Sequence, residues 1–96
     1  MIASFGDGAT EDVYHDVDSA RARAFSQEVR KAARRKMMLI AASTTVQDLR
    51  VPPGNRLEQF KGDLSGFWSV RVNDQWRIIF RFAAGNASEV KLTDYH

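Results

Sequence analysis

The chain contains no cysteine and only two histidines, His15 and His96. The first absence removes disulfides and thiolate metal sites. The second leaves too little imidazole for a metal centre built mainly from histidine, so neither a metal nor a cofactor is expected. Long apolar runs are missing too. The longest, Met37 to Ala42, is six residues, against about 20 for a membrane-spanning helix, so no membrane partner is expected. A basic region followed by an apolar run is lacking at the start, which argues against a secretory signal and for the cytoplasm. There is no Gly-rich phosphate loop, no paired-His zinc motif and no Ser-His-Asp arrangement in a credible context. Residues 1–20 hold no Lys or Arg at all.

What is present is unevenly distributed. Those first twenty residues carry five acids: Asp7, Glu11, Asp12, Asp16 and Asp18. The other 76 residues carry fourteen bases against seven acids, a balance of +7 hidden inside a net charge of +2. A body of that charge attracts polyanions, and RNA is the commonest. The acidic start reads as a solvated helix, a shield over the basic surface, or a docking site for a basic partner. With 96 residues, of which Leu, Ile, Val and Phe supply 23, the chain holds one core. We expect a single domain over residues 1–96.

Met1 to Phe5 reads as a short strand and Thr10 to Val17 as a short helix with acids in its first turn. Ser19 is a plausible N-cap for a longer helix running to about Ala42. At 100° per residue, Ala22, Phe25, Val29, Ala32, Ala33, Leu39 and Ile40 share an apolar arc. Arg23, Arg30, Lys31, Arg34 and Arg35 fall opposite. Lys36 lies inside the apolar arc, where its stem can be buried while its amine snorkels to water. Pro52-Pro53-Gly54 excludes regular structure in the loop that follows, although residues 48–51 have room for one turn.

The last third alternates with period two. Trp68, Val70 and Val72 share one face; so do Trp76, Ile78, Phe80 and Phe82, and then Val90 and Leu92. Short turns at Asn73-Asp74 and Ala84-Gly85-Asn86 suit hairpins. This predicts an antiparallel three-stranded meander whose apolar face is covered by the long amphipathic helix, an α+β fold. The same parity puts Ser69, Arg71, Arg77, Ile79, Arg81, Lys91, Thr93 and Tyr95 on the other face. Three arginines and a lysine beside a tyrosine are a common way to hold RNA backbone and stack a base. The bland alternative pairs those arginines with Asp63, Asp74 and Asp94 in surface salt bridges. His15 reads as surface structure.

An enzyme built from this inventory would work with Lys, Arg, Tyr, Asp, Glu and His. That set suits phosphodiester cleavage by the neighbouring 2′-hydroxyl. The reaction needs a base near the 2′-oxygen, cations on the phosphorane, and an acid for the leaving 5′-oxygen.

From Leu49 onward the sequence resembles the HigB branch of the RelE superfamily of toxins. The resemblance rests on the segment Asn55-Arg56-Leu57 leading to Lys61-Gly62-Asp63, on the hairpin Ser69 to Phe82 (SVRVNDQWRIIFRF), and on the terminal Asp94-Tyr95-His96. It covers about half the chain strongly, and the β-α-α start fits more loosely. It implies a RelE-like fold, with an N-terminal short strand and two helices packed on one face of a C-terminal antiparallel β-meander. It also implies a ribosome-dependent mRNA endoribonuclease that cleaves A-site mRNA, inhibits translation, and is held by a HigA-like helix-turn-helix antitoxin. Its substrate complex would be the 70S ribosome with mRNA. Lys61, Arg77, Asp94, Tyr95 and His96 match family positions in or near the active site. Arg71, Arg81, Lys91 and Arg56 are expected to hold RNA. Glu58 stands where some members carry a catalytic histidine, so the proton transfer falls either to Glu58 as base or more heavily to His96. Taken alone, Lys61 is a turn residue, Tyr95 a core-edge aromatic and His96 a terminal residue. Two other functions remain open: a non-catalytic binding protein of the same superfamily, and a gyrase inhibitor like its ParE branch.

Overall fold

The computed structural model describes residues 1–94. Tyr95 and His96, named above as site residues, lie outside the described residues. Helix α1 spans Gly8–Tyr14; Asp7 caps it by accepting from the Thr10 amide at 2.8 Å. Helix α2 spans Gln27–Ala42, and its N-cap is Ser26, whose hydroxyl accepts from the Val29 amide at 3.2 Å. This corrects the expected start at Ser19. Ser19 does cap, accepting from the Ala22 amide at 3.1 Å. What it opens is a 3₁₀ turn over Ala22–Ala24, which ends where Phe25 turns extended and packs edge-on against Trp76 with ring centroids 5.1 Å apart.

Four strands form one antiparallel sheet in the order β1 (Glu58–Gln59), β2 (Phe67–Arg71), β3 (Arg77–Ala83) and β4 (Asn86–Thr93). The expected meander is β2–β4; the two-residue β1 adds an edge. The expected N-terminal strand is reduced to two parallel bridges, Ile2 to Ala87 and Phe5 to Val90, which lay the first residues along the edge of β4. Both outer edges are thereby short or covered, which protects them from pairing with other chains.

The core joins α2 (Val29, Ala33, Met37, Ile40) to the inner sheet face (Val70, Ile78, Phe80, Ala87, Val90, Leu92), with Val13, Ala22 and Leu49 at its margins. Burying a side chain of this size contributes about 1.5–3 kcal/mol, and Phe80→Ala would cost about 3–5 kcal/mol. The apolar arc of α2 sits slightly off the expected one. Met37 is buried, while Leu39 is exposed beside Met38. Trp68 and Trp76 pack on the core as their parity predicts. Strand parity changes once: Glu89 has a φ of 53° where the β3–β4 register shifts, so Ala87 and Val90 both face inward although three residues apart.

Lys36 does not snorkel freely to water. Its amine donates to Asn55 Oδ1 at 2.6 Å, and the buried Asn55 amide donates to the Leu49 and Val51 carbonyls at 3.1 and 3.4 Å. Helix α2 is thus tied to the loop before β1. That loop carries more order than its prolines suggest. There is a 3₁₀ turn over Val46–Arg50, opened by a capping box between Thr45 and Asp48, and another over Pro53–Asn55.

Candidate active site

The outer face of the sheet is arranged in cross-strand rows. One row is Arg71, Arg77 and Thr93; the next is Glu58, Ser69, Ile79 and Lys91; a third is Phe67, Arg81 and Ser88. Arg71 and Arg77 stand directly opposite each other. Like charges in that position are unfavourable in an ordinary sheet. Here each has an acid beside it: Asp74 bonds Arg71, and Glu58 Oε1 lies 3.6 Å from Arg77 Nη2.

Arg77 is the most tightly held cation of the face. Its Nε donates to Ser69 Oγ at 3.2 Å and its Nη2 to the Arg56 carbonyl at 3.1 Å. Its side chain is 18% exposed, whereas that of Glu58 is 62% exposed. Ser69 is fully buried although it lies on the outer face, because Arg77 covers it. The guanidinium is therefore fixed on two nitrogens by neutral acceptors, with further N–H groups left to bind an anion.

Asp94 follows Thr93, the neighbour of Arg77 across β3–β4, and accepts from Gln75 Nε2 at 3.1 Å. Gln75 reaches it from the hairpin turn, where the Asn73 side chain accepts from the Gln75 and Trp76 amides. Lys61 is exposed at the entry to a 3₁₀ turn over Gly62–Leu64, just after β1. Lys91 is exposed in the central row. Arg81 lies in the third row, bonded to Glu89 at 2.8 Å. Arg56 contributes its carbonyl to Arg77, and its own side chain is exposed.

The expected grouping thus holds for Arg77, Glu58, Arg71 and Asp94, which gather at one end of the face with Ser69. The face is less purely basic than parity suggested. Asp74, Glu58 and Glu89 each pair with one of its three arginines, and Asp63 forms no such bond. Three residues were missed as supports of the site: Ser69, Gln75 and Asn55. Parity had put Ser69 on this face, but nothing local marks it as an acceptor for Arg77. Among the described residues no group of three or more His, Asp or Glu side chains could hold a metal ion.

A family model described as the RelE-like toxin of the type II toxin-antitoxin system HigB matches residues 3–96. The chain belongs to this HigB-like toxin family. Over 87 residues it is 39% identical to Toxin HigB-1 of Vibrio cholerae, covering 91% of this chain and 90% of that one. Over 41 residues it is 44% identical to the Endoribonuclease HigB of Proteus vulgaris, covering 43% of this chain and 45% of that one. Its fold is similar to that of the YoeB-YefM complex from Staphylococcus aureus, with a TM-score of 0.63 at 14% identity, covering 100% of this chain and 98% of that one. It is also similar to the YoeB/ParE toxin from Agrobacterium tumefaciens, with a TM-score of 0.52 at 15% identity and 97% and 99% coverage. These two likenesses bear on the fold: an α+β RelE-like architecture of two helices on a four-stranded antiparallel sheet. No helix of the described residues is long and apolar enough to cross a membrane.

Proposed function

We propose that this HigB-like toxin is a ribosome-dependent mRNA endoribonuclease that cleaves A-site mRNA through attack of the 2′-hydroxyl, acts in the cytoplasm, and is restrained by a HigA-like helix-turn-helix antitoxin. The observation that carries the reading is Arg77. It stands opposite a second arginine and is aimed by Ser69 and the Arg56 carbonyl, with a carboxylate at its edge. A sheet that needed only stability would have no use for the facing arginines.

In the proposed reaction the RNA backbone lies across the outer face. A base takes the proton of the 2′-hydroxyl, and the 2′-oxygen attacks the adjacent phosphorus. The bond to the 5′-oxygen breaks, leaving a 2′,3′-cyclic phosphate and a 5′-hydroxyl. Arg77, Lys61 and Arg71 neutralise the charge that builds on the phosphorane oxygens, and donors fixed in advance do this without reorganising. Glu58 is an exposed carboxylate at 3.6 Å from Arg77. It is suited to accept the 2′-proton; His96 then supplies the proton to the 5′-oxygen. Asp94, held by Gln75, orients the terminal residues, and Tyr95 stacks on or orients a nucleotide. Arg81, Lys91 and Arg56 hold the strand on either side.

Controlled induction in cells, with mRNA ends mapped, tests this. Ends inside translated codons that depend on ongoing translation are the expected result. Growth arrest with intact mRNA would replace the enzyme by a non-catalytic binder, and double-strand DNA breaks would favour a ParE-like gyrase inhibitor.

A further inference from the structure

The third row of the outer face has a construction that phosphate binding alone does not call for. The Arg81 guanidinium carbon lies 4.3 Å from the centroid of the Phe67 ring, its neighbour across β2–β3. Its Nε donates to Glu89 Oε2 at 2.8 Å. Its Nη1 lies against Gly66, where an added Cβ would come within 2.8 Å of that nitrogen, and Gly66 has a φ of +93°. An aromatic ring, a carboxylate and a glycine thus hold a planar cation that is still 47% exposed.

Part of this arrangement is bought with backbone strain. Glu89 adopts a φ of 53° at the register shift between Ile79 and Arg81, a conformation that a glutamate rarely takes. Bulges of this kind re-aim side chains beside functional sites. Exposed ion pairs contribute little to stability, so a strained backbone spent on one suggests a task for the arginine. Arg81 lies four residues along β3 from Arg77, about 13 Å at the rise of an extended strand. Phe60 extends the row on the far side of Phe67, its amide bonded to the Phe67 carbonyl at 2.9 Å.

We propose that Arg81, backed by Phe67 and fixed by Glu89 and Gly66, is a stacking platform for an unpaired nucleobase of the RNA strand flanking the nucleotide held at Arg77. The proposal rests on the endoribonuclease reading and extends it from backbone to base. A guanidinium plane offers every base a flat, cationic partner. The subsite would therefore tolerate sequence and supply register, setting how far the strand advances before the cleaved bond meets Arg77.

Single-turnover cleavage on ribosomes programmed with mRNA carrying one abasic nucleotide, moved position by position, tests it. For wild-type protein, one flanking abasic position should lower kcat/KM about 10-fold, in the range of a lost stack. Arg81→Ala should lose a similar factor on intact mRNA, mainly through KM, and lose no more on the abasic strand, as coupled partners do. Arg81→Lys, which keeps the charge and loses the plane, should behave like Arg81→Ala. Phe67→Leu should lose part of the effect, with melting temperatures confirming that each variant is folded. Full activity of Arg81→Lys, or losses that multiply at every abasic position, would overturn the platform while leaving the endoribonuclease in place. Wild-type protein that cleaves none of these mRNAs would overturn both.

Discussion

Two surfaces of this molecule are rich in arginine, and they are built differently. On α2, Arg30, Lys31, Arg34 and Arg35 border a groove of about 320 Å³ whose other wall is the acidic segment with Asp12, Asp16 and Asp18. Asp18 reaches both Arg23, at 3.3 Å, and Arg30, at 3.5 Å. Asp12 accepts from Arg21 and Ser19. The acidic first fifth of the chain is therefore spent largely on its own helix, as an internal counter-charge. On the sheet, acids also stand beside the arginines, but Arg77 is oriented by neutral acceptors, the Ser69 hydroxyl and the Arg56 carbonyl. Charge on the helix is shielded; charge on the sheet is aimed. That contrast, more than the count of cations, separates a reactive surface from a solvated one.

If the sheet face is the reacting one, the largest effect should come from removing His96. Truncation before it should lower single-turnover cleavage on ribosomes by about 10²- to 10⁴-fold, the usual worth of a positioned proton donor, with ribosome binding nearly unchanged. Full-rate cleavage by the truncated protein would move the proton transfer elsewhere. A smaller effect should follow from loosening the loop that carries the Arg56 carbonyl. Asn55→Ala leaves the Lys36 amine and the Leu49 and Val51 carbonyls without their partner. The cost should be about 2 kcal/mol, read as a fall of about 10 °C in Tm. An unchanged Tm would mean that water replaces the amide at no cost.

The smallest effect should lie on the shielded side. Hydrogen bonds from Arg21 and then Ser19 hold the Asp12 carboxyl down at about 2, against an ordinary 3.8. A depressed carboxylate stabilises the fold above its ordinary value, and that contribution is lost as pH falls through the folded value. Denaturant midpoints followed from about pH 6 down to about pH 2 should fall further in wild type than in Asp12→Asn. Parallel curves would show that the Asp12 network adds nothing to stability.

How much of this was readable in the chain depended on the range of the interaction. Strand parity was legible, since Val70, Ile78, Phe80 and Leu92 alternate with Ser69, Arg71, Arg77 and Arg81, and one face had to be buried. The bulge at Glu89 was not, because a left-handed glutamate has no local signature. Helix α2 was legible in its apolar period but not in its start. Ser19 and Ser26 are both competent caps, and the packing of Phe25 on Trp76 chooses between them. The motif residues of the site came through resemblance. Their supports did not, for Ser69, Asn55 and Gln75 act on partners 8, 19 and 19 residues away.

The central claim is that RNA is cleaved on the sheet face and not on the helix face. It is tested most directly by comparing single-turnover cleavage of ribosome-bound mRNA by Arg77→Ala and by the double variant Arg34→Ala, Arg35→Ala. The account predicts that Arg77→Ala loses about 10²- to 10³-fold in rate, as loss of a fixed transition-state donor does. The helix variant should stay within about fivefold of wild type, as expected for surface charges worth up to about 1 kcal/mol. The reverse pattern, with cleavage surviving without Arg77 and failing without Arg34 and Arg35, would contradict it.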